Sequence, residues 1–562
     1  MPRRESPFES TAEAYLALLK ARGIDWLLAN AGTDFAPIIE ALVRARKVGI
    51  AMPEAVPIVH ETVAVGMAHG YYLVTGQPQA VMVHVNVGTA NALMGLINAS
   101  RDNVPMLFTS GRTPVTERGL LGSRDLPIHW GQEMFDQGGM VRELVKWDYE
   151  LREPVQIEAV VDRALSIAMS EPRGPVYLSL PREVLAKRWP GEPLAGNPVL
   201  IPSSDPHPDP AAIEAAARIL RKAERPLIVA GRGDAAAFEA LGHFVERTGI
   251  PVAHFWPARL ALPTTHPLHA GFDVMPRLGH ADAVVVLDVM VPWLPSRHIL
   301  APGCQVIAIG PDPCFSRVPM RSFPGHVVLR SNVAAALNRL AAAVGEASAP
   351  RKKAVVAELA AERTRRAETA AQPPAGLATA SWVSRCLDEN KGDDAIVFNE
   401  LGCDPSVMTF TRADSYFGHP IAGGLGWGVP AALGAKLAKP DRLVIACVGD
   451  GSYIFANPVA CHQTAAALRL PILTVVFNNE AWNAVRKATR AVYPTGHAGA
   501  ANEMPLSSLA PSPAYDKVVE ASGGFGVAVM DPSEIGSAIG KAIAAVRSGR
   551  QALLNVRCAI GS

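Results

Sequence analysis

A carboxylate and two amide side chains follow apolar segments in the C-terminal part of the sequence. Asp450 lies between Gly449 and Gly451, and the pair Asn478-Asn479 comes after a second apolar segment. Carboxylate and amide oxygens suit a hard cation such as Mg²⁺, which also binds phosphate oxygens. The glycines allow the backbone to approach a diphosphate closely. The pattern therefore predicts a site for a metal-bound diphosphate.

The elements around these residues form a strand–helix–strand unit. We predict strands at Leu443–Val448 and Ile472–Phe477, with a helix at Pro458–Arg469 between them. A unit of this size makes a right-handed crossover, so its strands run parallel and end at the same edge of a sheet. Ligands bind at this edge in α/β proteins. Asp450 and Asn479 are therefore expected to lie close together.

Short runs rich in Val, Ile and Leu alternate with Ala-rich helical segments along the whole chain, which is typical of parallel sheets. We predict an α/β protein with three parallel-sheet domains at residues 1–190, 191–345 and 381–562, and a helical linker at 346–380. Predicted elements outside the C-terminal domain are strands at Gln79–Val85, Pro105–Thr109, Pro226–Ala230, Ala283–Leu287 and Val306–Ile309, and helices at Gly88–Ala99 and Ala211–Lys222.

The composition excludes several classes of protein. The chain has 562 residues, 49% of them hydrophobic and 19% charged, which excludes intrinsic disorder. A net charge of +1 gives no electrostatic reason to expect nucleic acid or a membrane surface as the partner. We expect neither a signal peptide nor a transmembrane segment. The seven cysteines form no Cys-x-x-Cys pair, so we expect free thiols and a cytoplasmic location.

The segment Gly449-Asp450-Gly451…Asn478-Asn479 resembles the cofactor motif of thiamine-diphosphate-dependent enzymes, with slightly longer spacing than is usual. The resemblance implies a pyrimidine-binding domain, a Rossmann-like middle domain and a diphosphate-binding domain, in that order. It also implies thiamine diphosphate and Mg²⁺ as cofactors, with the metal held by Asp450, Asn479 and the carbonyl of Ala481. The other residues that it places against the cofactor in this part of the chain are Gly402, Cys403, Gly449, Gly451, Ser452 and Trp482.

A glutamate in the first domain matches a second element of this family. The stretch Val59–Ala68 contains Glu61 where these enzymes have a glutamate that hydrogen-bonds the aminopyrimidine ring of the cofactor. That hydrogen bond favours the imino tautomer, which removes the proton from the reactive carbon of the thiazolium ring. The alternative is a glutamate that only stabilises a helix start through the helix dipole.

A glycine-rich segment, Ile421–Pro430, resembles a third element of the family. Leu425 matches the bulky apolar residue that holds the cofactor in a bent conformation, and the carbonyl of Gly423 would face the pyrimidine amine. The alternative is a closely packed, glycine-rich helix start.

Three further residues resemble those of the benzoylformate decarboxylases, a branch of the 2-keto acid decarboxylases and carboligases. They are His84 in the segment His84–Ala92, His266 in Pro263–Pro267, and Thr33 in place of a serine. An imidazole titrates near neutral pH and suits the proton transfers of this chemistry, whereas Thr33 would orient the substrate carboxylate. The alternative for either histidine is a structural role in its loop.

Other members of the family stay open as candidates. The segment Glu54–Val59 departs from the benzoylformate decarboxylase pattern and is expected to lie in an insertion. Acetolactate synthases are the second candidate, although Asn86–Thr89 differs from their loop. The arginine-bearing strand with which they hold FAD is not found, so we expect no FAD. A lyase or hydrolase that cleaves a diketone or an acyloin with the same cofactor is a further candidate.

Two other classes fit the sequence less well. The turn Gly231-Arg-Gly233 resembles a dinucleotide fingerprint, but a nicotinamide oxidoreductase needs an acidic residue about 20 positions later, and Glu246 comes too early. A non-catalytic scaffold would be expected to lose Glu61 or the metal motif, and both are present. The resemblance implies a 2-keto acid or related carbonyl compound as substrate. It also implies a homodimer or a dimer of dimers (a homotetramer) in which two chains share each site.

Overall fold

A computed structural model of the chain describes residues 7–191 and 193–561, whose strands form three sheets. The sheets contain six, five and six strands, and every pair of neighbouring strands is parallel. Parallel strands need crossover connections, and helices in these connections cover the faces of the sheet. The predicted α/β class with three parallel sheets is confirmed.

The first sheet brings polar residues to one edge. Its strands are β1 (Trp26–Ala29), β2 (Glu54–Pro57), β3 (Ala80–Val83), β4 (Leu107–Arg112), β5 (Asp148–Glu150) and β6 (Val176–Pro181). The strand order is β2-β1-β3-β4-β6-β5. Glu61, Asp34 and His84 follow β2, β1 and β3, respectively. Because parallel strands end at the same edge, these three side chains come from one edge of the sheet.

The second sheet contains two strands whose bounds the sequence predicts without error. Its strands are β7 (Pro226–Ala230), β8 (Val252–His254), β9 (Ala283–Leu287), β10 (Gln305–Gly310) and β11 (Val327–Arg330), in the order β11-β10-β9-β7-β8. All residues of β7 and β9 are buried. A strand that is buried on both faces is a continuous apolar run, which makes its limits clear in the sequence.

The third sheet contains the predicted crossover. Its strands are β12 (Ile396–Glu400), β13 (Tyr416–Gly418), β14 (Val444–Gly449), β15 (Leu473–Asn478), β16 (Phe525–Val529) and β17 (Ala552–Arg557), in the order β13-β12-β14-β15-β17-β16. β14 and β15 are parallel neighbours, with Gly449 opposite Phe477. The predicted strand–helix–strand unit is confirmed, and it brings Asp450 and Asn479 to one edge of this sheet.

Helices and short 3₁₀ turns connect the strands. The α-helices are α1 (Thr11–Ala21), α2 (Ala36–Val48), α3 (Glu61–Thr75), α4 (Val85–Arg101), α5 (Ile128–Gly131), α6 (Ile157–Met169), α7 (Arg182–Ala186), α8 (Pro210–Lys222), α9 (Ala235–Thr248), α10 (Met275–Leu278), α11 (Val333–Val344), α12 (Ala349–Thr369), α13 (Ala380–Lys391), α14 (Gly428–Ala438), α15 (Asp450–Phe455), α16 (Pro458–Ala467), α17 (Asn483–Val492), α18 (His497–Ala501), α19 (Tyr515–Glu520) and α20 (Ile535–Arg547). Most of the segment predicted as a helical linker forms α12.

The chain divides into two compact units. One runs to Ser204 and includes Pro420–Pro440, so α14 belongs to the unit of the first sheet. The other comprises Asp205–His419 and the residues from Asp441 onward, with the second and third sheets. Each sheet has its own core of buried aliphatic side chains. Within the described ranges, no helix has the length and hydropathy needed to cross a bilayer.

Glycines let α3 and α14 pack with their backbones in contact. A methyl group on Gly70 would lie 1.9 Å from the carbonyl oxygen of Ala431. One on Gly434 would lie 1.9 Å from the carbonyl oxygen of Met67. No side chain fits at such distances, so glycine is required at both positions. This packing fixes the position of α3, whose first residue is Glu61.

Two differences from the predictions affect the residues around the site. The helix predicted at Gly88–Ala99 is α4 and begins at Val85, because the Asp34 carboxylate accepts a hydrogen bond from the Val85 N–H group at 3.3 Å. The segment Glu54–Val59, expected to lie in an insertion, contains the edge strand β2, which pairs with β1. Only one residue of β2 is buried and a proline ends it, a composition that an edge strand tolerates.

Candidate active site

Asp450 is a buried carboxylate with one oxygen that lacks a hydrogen bond. It follows β14 as the first residue of α15, and the residue is 2% exposed. Oδ1 accepts from the Gly451 N–H group at 3.0 Å, whereas Oδ2 has no partner among the described residues. Burial raises the pKa of the Asp450 carboxyl. A cation at Oδ2 would supply the missing interaction of this buried charge.

The two asparagines after β15 have different partners. The amide of Asn478 donates to Asn555 Oδ1 at 3.0 Å, and its oxygen accepts from Ser512 and from the Glu480 N–H group. The oxygen of Asn479 accepts one hydrogen bond, from the Ala481 N–H group at 3.0 Å. The first asparagine is therefore held by the protein, whereas Asn479 Oδ1 keeps a free lone pair for a ligand.

The carbonyl oxygen of Ala481 also keeps one lone pair. It accepts a single hydrogen bond, from the Asn483 N–H group at 2.8 Å. Glu480, between the two candidate ligands, has a φ of 53°, and Leu401, at the end of β12, has a φ of 58°. Such backbone conformations are costly for residues with a side chain and cluster at functional sites.

Three glycines near Asp450 differ in the space beside them, and two of the three pack tightly against the protein. A methyl group on Gly451 would come within 2.1 Å of the Trp482 ring, and one on Gly402 within 2.6 Å of the Cys447 carbonyl carbon. Gly449 has open space around it, since a methyl group there would find its nearest neighbour at 3.7 Å. Ser452, in the first turn of α15, is buried. A diphosphate could therefore approach the backbone at Gly449, at this edge of the third sheet.

The turn that contains Gly402 and Cys403 is shaped by Asn399. Asn399 Oδ1 accepts from the N–H groups of both residues at 3.0 Å, so neither N–H group is available for a ligand. Burial raises the pKa of the Cys403 thiol, which therefore stays protonated near neutral pH. These two residues can shape the cofactor site, but a hydrogen bond to the cofactor from their N–H groups would require Asn399 to move.

The donor set fits Mg²⁺ with a diphosphate. Asp450, Asn479 and Ala481 would offer a carboxylate, an amide and a carbonyl oxygen, the ligands that Mg²⁺ prefers alongside phosphate oxygens. Among the described residues no group of three or more His, Cys, Asp or Glu residues could hold a metal. A site with one carboxylate, one amide and one carbonyl is a different kind of site from such a cluster.

Glu61 lies at the start of α3, against α4. The ring of His60 caps α3 by accepting from the Thr62 N–H group at 3.2 Å. Glu61 is buried, and its Oε2 accepts from Asn91 Nδ2 at 3.2 Å. A methyl group on Gly88 would lie 3.3 Å from Oε1. The carboxylate is thus oriented through one oxygen, with space beside the other.

His84 forms a short hydrogen bond with a carboxylate that the sequence analysis did not single out. Its Nδ1 lies 2.5 Å from Asp34 Oδ1, and its Nε2 lies 3.2 Å from Gln132 Nε2. Because a carboxylate only accepts and the amide nitrogen only donates, Nδ1 carries the hydrogen and Nε2 accepts. The pair spans 50 residues of sequence, and Gln132 comes from the loop before β5.

Two glycines provide the space for this pair. A methyl group on Gly32 would lie 2.1 Å from His84 Nδ1, and one on Gly111 would lie 1.6 Å from Asp34 Oδ2. Val85, directly after His84, has a φ of 31°, a strained value for a β-branched residue. Strain of this kind costs about 1–3 kcal/mol and is retained where function needs the geometry.

Thr33 is exposed and contacts a second histidine. Its hydroxyl lies 3.4 Å from His129 Nε2. Nδ1 of His129 faces the N–H groups of Asp125 and Leu126, so Nε2 carries the hydrogen and donates to Thr33. Burial lowers the pKa of His129, and Arg182 lowers it further. His129 lies in the short helix α5, in a part of the sequence without a motif, and no signal in the sequence pointed to it.

His266 lies in the unit of the second and third sheets. Its Nδ1 accepts from the Leu268 N–H group at 3.1 Å, and its carbonyl accepts from Arg363 at 2.9 Å. Burial lowers the pKa of its half-buried ring. Its hydrogen-bond partners thus belong to its own loop and to α12, and a catalytic role for His266 stays a prediction.

The glycine-rich segment is attached to the C-terminal part of α4. Asn98 donates to the Gly424 carbonyl at 2.9 Å and accepts from its N–H group at 3.1 Å. Gly423 has a φ of 71°, and Leu425 is half-buried. Asn91, which holds Glu61, is seven residues earlier on the same helix, about 10 Å along its axis. In one chain, Glu61 and the Gly423–Leu425 segment therefore contact different parts of α4.

Family models described as "Thiamine pyrophosphate enzyme" match three parts of the chain; thiamine pyrophosphate (TPP) is another name for thiamine diphosphate. The N-terminal TPP binding domain matches residues 9–140, the central domain 213–315 and the C-terminal TPP binding domain 401–556. "Probable 2-ketoarginine decarboxylase" of Pseudomonas aeruginosa is 30% identical over 447 residues, which are 76% of this chain and 75% of that protein. The chain belongs to the thiamine-diphosphate-dependent enzymes.

Two further proteins of this family resemble the chain over most of its length. "Benzoylformate decarboxylase" of Pseudomonas aeruginosa is 27% identical and covers 84% of this chain and 86% of its own. The solved structure of the thiamine-diphosphate-dependent 4-hydroxybenzoylformate decarboxylase of Rhodococcus jostii has a TM-score of 0.77 at 24% identity, covering 98% of this chain and 99% of its own. The enzyme thus has the three-sheet fold of the family, and its family domains support thiamine diphosphate as cofactor.

Proposed function

We propose that this thiamine-diphosphate-dependent enzyme decarboxylates a 2-keto acid with the help of Mg²⁺. The remaining acyl unit then leaves as an aldehyde or is joined to a carbonyl acceptor. The observation that carries the proposal is the hydrogen bond between His84 and Asp34, at the sheet edge from which Glu61 also comes. This chemistry needs proton transfer beside the cofactor, and an imidazole held by a carboxylate can give and take a proton.

The residues after β14 and β15 would hold the metal and the diphosphate. Oδ2 of Asp450, Oδ1 of Asn479 and the carbonyl oxygen of Ala481 would coordinate Mg²⁺. The unpartnered Asp450 Oδ2 is the strongest support for this assignment. The other residues proposed to contact the cofactor here are Gly402, Cys403, Gly449, Gly451, Ser452 and Trp482.

Thiamine diphosphate, when bound, supplies a carbon nucleophile that adds to a carbonyl group and accepts the electron pair of the bond that breaks. Glu61 would hydrogen-bond the aminopyrimidine through Oε1, because Asn91 already occupies Oε2. Gly88 leaves space beside Oε1. Asn91 is therefore proposed as the residue that orients the Glu61 carboxylate.

His84 would transfer the proton at Nε2, the nitrogen that is not bonded to Asp34. The Asp34 carboxylate stabilises the imidazolium that exists while the ring carries two hydrogens. Gln132 Oε1 is buried and has no hydrogen-bond partner among the described residues, so a rotation of this amide would let it accept from a protonated Nε2. The side chains around His84 can thus accommodate both of its protonation states.

Thr33 and His266 are proposed to act on the substrate. The exposed Thr33 hydroxyl, fixed by His129, would hydrogen-bond the substrate carboxylate. In His266, Nδ1 accepts from the backbone, so Nε2 carries the hydrogen and can donate it. We assign to His266 an influence on whether the acyl unit is released or joined to an acceptor.

The proposed assembly is a homodimer or a dimer of dimers in which two chains share each site. Support comes from α4, because Glu61 and the segment with Leu425 contact residues of this helix about 10 Å apart. In this assembly the pyrimidine partner and the residue that bends the cofactor would come from different chains.

A screen of 2-keto acids tests the proposed function. The enzyme, supplied with thiamine diphosphate and Mg²⁺, is incubated with benzoylformate, 2-ketoarginine and pyruvate, with and without benzaldehyde, and CO₂ release is measured. We expect CO₂ from at least one acid and none with Glu61→Gln. Acetolactate from pyruvate would favour the acetolactate synthase alternative. Cleavage of a diketone or an acyloin without CO₂ from any 2-keto acid would contradict the decarboxylase proposal.

A further inference from the structure

A cavity of about 260 Å³ lies in the unit of the second and third sheets, beside the loop that carries His266 and the turn after Cys403. Three segments line it: the loop after β8, the C-terminal half of α12 and the residues at 405–409. The lining side chains that matter here are Thr265, His269, Arg363 and Arg366. None of the described lining residues carries a carboxylate.

Arg366 is a half-buried cation whose charge is only partly balanced by a carboxylate. Its nearest carboxylate, Glu362, lies 3.6 Å away and forms a shorter ion pair, 2.7 Å, with Arg277. The negative charge of Asp404 also favours the charged form of Arg366. Both carboxylate oxygens of Asp404, however, accept hydrogen bonds from serines. Burial lowers the pKa of the Arg366 guanidinium. An anion beside Arg366 would stabilise its charge.

The backbone is shaped around the same guanidinium. Gly271 has a φ of 93°, and a methyl group there would lie 1.9 Å from Arg366 Nη1. Arg363 uses one nitrogen to hold the His266 carbonyl at 2.9 Å, which leaves its other N–H groups to donate elsewhere. Both arginines are therefore fixed at the wall of the cavity.

A buried histidine pair supplies one more donor. His254 Nε2 accepts from the Ala261 N–H group at 3.0 Å, so the hydrogen of this ring is on Nδ1. That Nδ1 donates to His269 Nε2 at 3.1 Å, which leaves the hydrogen of His269 on Nδ1. Burial lowers the pKa of His254 to about 3 and that of His269 well below its usual range, so both rings stay neutral.

We propose that this cavity is a binding site for a small oxyanion, either inorganic phosphate or the carboxylate or phosphate group of a small molecule, distinct from the proposed metal and diphosphate site. Arg363 and Arg366 supply the charge, and His269 Nδ1–H and the Thr265 hydroxyl supply further donors. Charge-assisted hydrogen bonds from two guanidinium groups suit the planar or tetrahedral oxygens of such anions. The segment at 405–409 begins two residues after Cys403, so an occupant would also stabilise the turn beside the proposed diphosphate site.

Calorimetric titration of the holoenzyme tests this proposal. The protein is saturated with thiamine diphosphate and Mg²⁺, so that the diphosphate site is filled, and is titrated with inorganic phosphate and separately with malonate at constant ionic strength. We expect one binding event per chain for at least one anion. Arg366→Gln and Arg363→Gln should each weaken it at least tenfold, whereas Arg365→Gln, an exposed position on the same helix, should leave it unchanged.

Three results would overturn the proposal. In the first, neither anion binds to the holoenzyme. In the second, the two arginine variants bind the anion with the same affinity as the parent. In the third, the anion binds only when thiamine diphosphate is absent. Should Arg366→Gln fail to fold, Arg363→Gln and Thr265→Val give the same comparison. Because the readout is anion binding and not turnover, it does not depend on which substrate the catalytic site accepts.

Discussion

His84 Nδ1 lies 2.5 Å from Asp34 Oδ1, although the two residues are 50 positions apart in the sequence. They meet because β1 and β3 are parallel neighbours that end at the same edge of the first sheet. The two side chains occupy the space that a Cβ atom at position 32 or 111 would need, so both positions require glycine. The pair is therefore a specific feature of this site, with a carboxylate held against the imidazole that we propose transfers protons.

The first prediction concerns this pair. His84→Ala should lower kcat for a competent 2-keto acid by about 10²–10⁴, the usual contribution of general acid–base catalysis. Asp34→Asn keeps an acceptor but loses the charge that stabilises the imidazolium, so kcat should fall by a smaller factor, with KM and cofactor affinity unchanged. Steady-state kinetics and cofactor titration measure both. Parental kcat in both variants would show that the pair has no catalytic role.

The second prediction separates the two asparagines after β15. Asn479→Ala should weaken Mg²⁺-dependent cofactor binding with little change in the melting temperature of the apoprotein. Asn478→Ala should lower that melting temperature, because Asn555 and Ser512 lose a buried partner. Asp450→Ala should abolish metal-dependent binding. Calorimetry with Mg²⁺ and thiamine diphosphate, with thermal unfolding as the control, distinguishes these outcomes; tight binding by Asp450→Ala would refute the metal assignment.

The third prediction concerns His266. His266→Ala should change the ratio of released aldehyde to carboligation product while cofactor affinity stays at the parental value. Product analysis by chromatography, with a 2-keto acid and an aldehyde acceptor present together, gives this ratio directly. His243, an exposed histidine on α9 outside the cavity and the site, offers a matched control as His243→Ala. An unchanged ratio in His266→Ala would leave this residue with a structural role in its loop.

The fourth prediction concerns the shared site. Glu61→Gln and Asp450→Ala should each be inactive alone, yet a mixture that exchanges subunits should regain activity. If dimers form at random, half of them are mixed and each has one intact site, so about a quarter of full activity is expected. Mass spectrometry of isotope-labelled chains confirms the exchange. Exchange without any recovered activity would argue that each chain forms its site alone.

The sequence predicted the parts of the site that follow a strand directly. Asp450 and Asn479 were found because β14 and β15 are apolar runs with clear ends, and the crossover between them is right-handed. The three-sheet fold could be predicted for the same reason, since parallel strands are continuous apolar runs.

The partners of the predicted residues were not found in the sequence. Asp34 and Gln132 reach His84 from other elements, and Asn91 reaches Glu61 from the adjacent helix. Such pairings depend on register and side-chain direction, which the strand pattern alone does not give. The edge strand β2 was missed because only one of its residues is buried, so it has no apolar alternation.

The central claim is that Glu61 activates a thiamine diphosphate held by Asp450 and Asn479, and hydrogen–deuterium exchange at the reactive C2 carbon of the bound cofactor tests it most directly. The parent enzyme and Glu61→Gln are saturated with thiamine diphosphate and Mg²⁺, mixed rapidly with D₂O, quenched in acid and analysed by NMR. The account predicts that Glu61→Gln binds the cofactor but exchanges at least about 10² times more slowly than the parent. Equal exchange rates in the two proteins, with the cofactor bound in both, would contradict it.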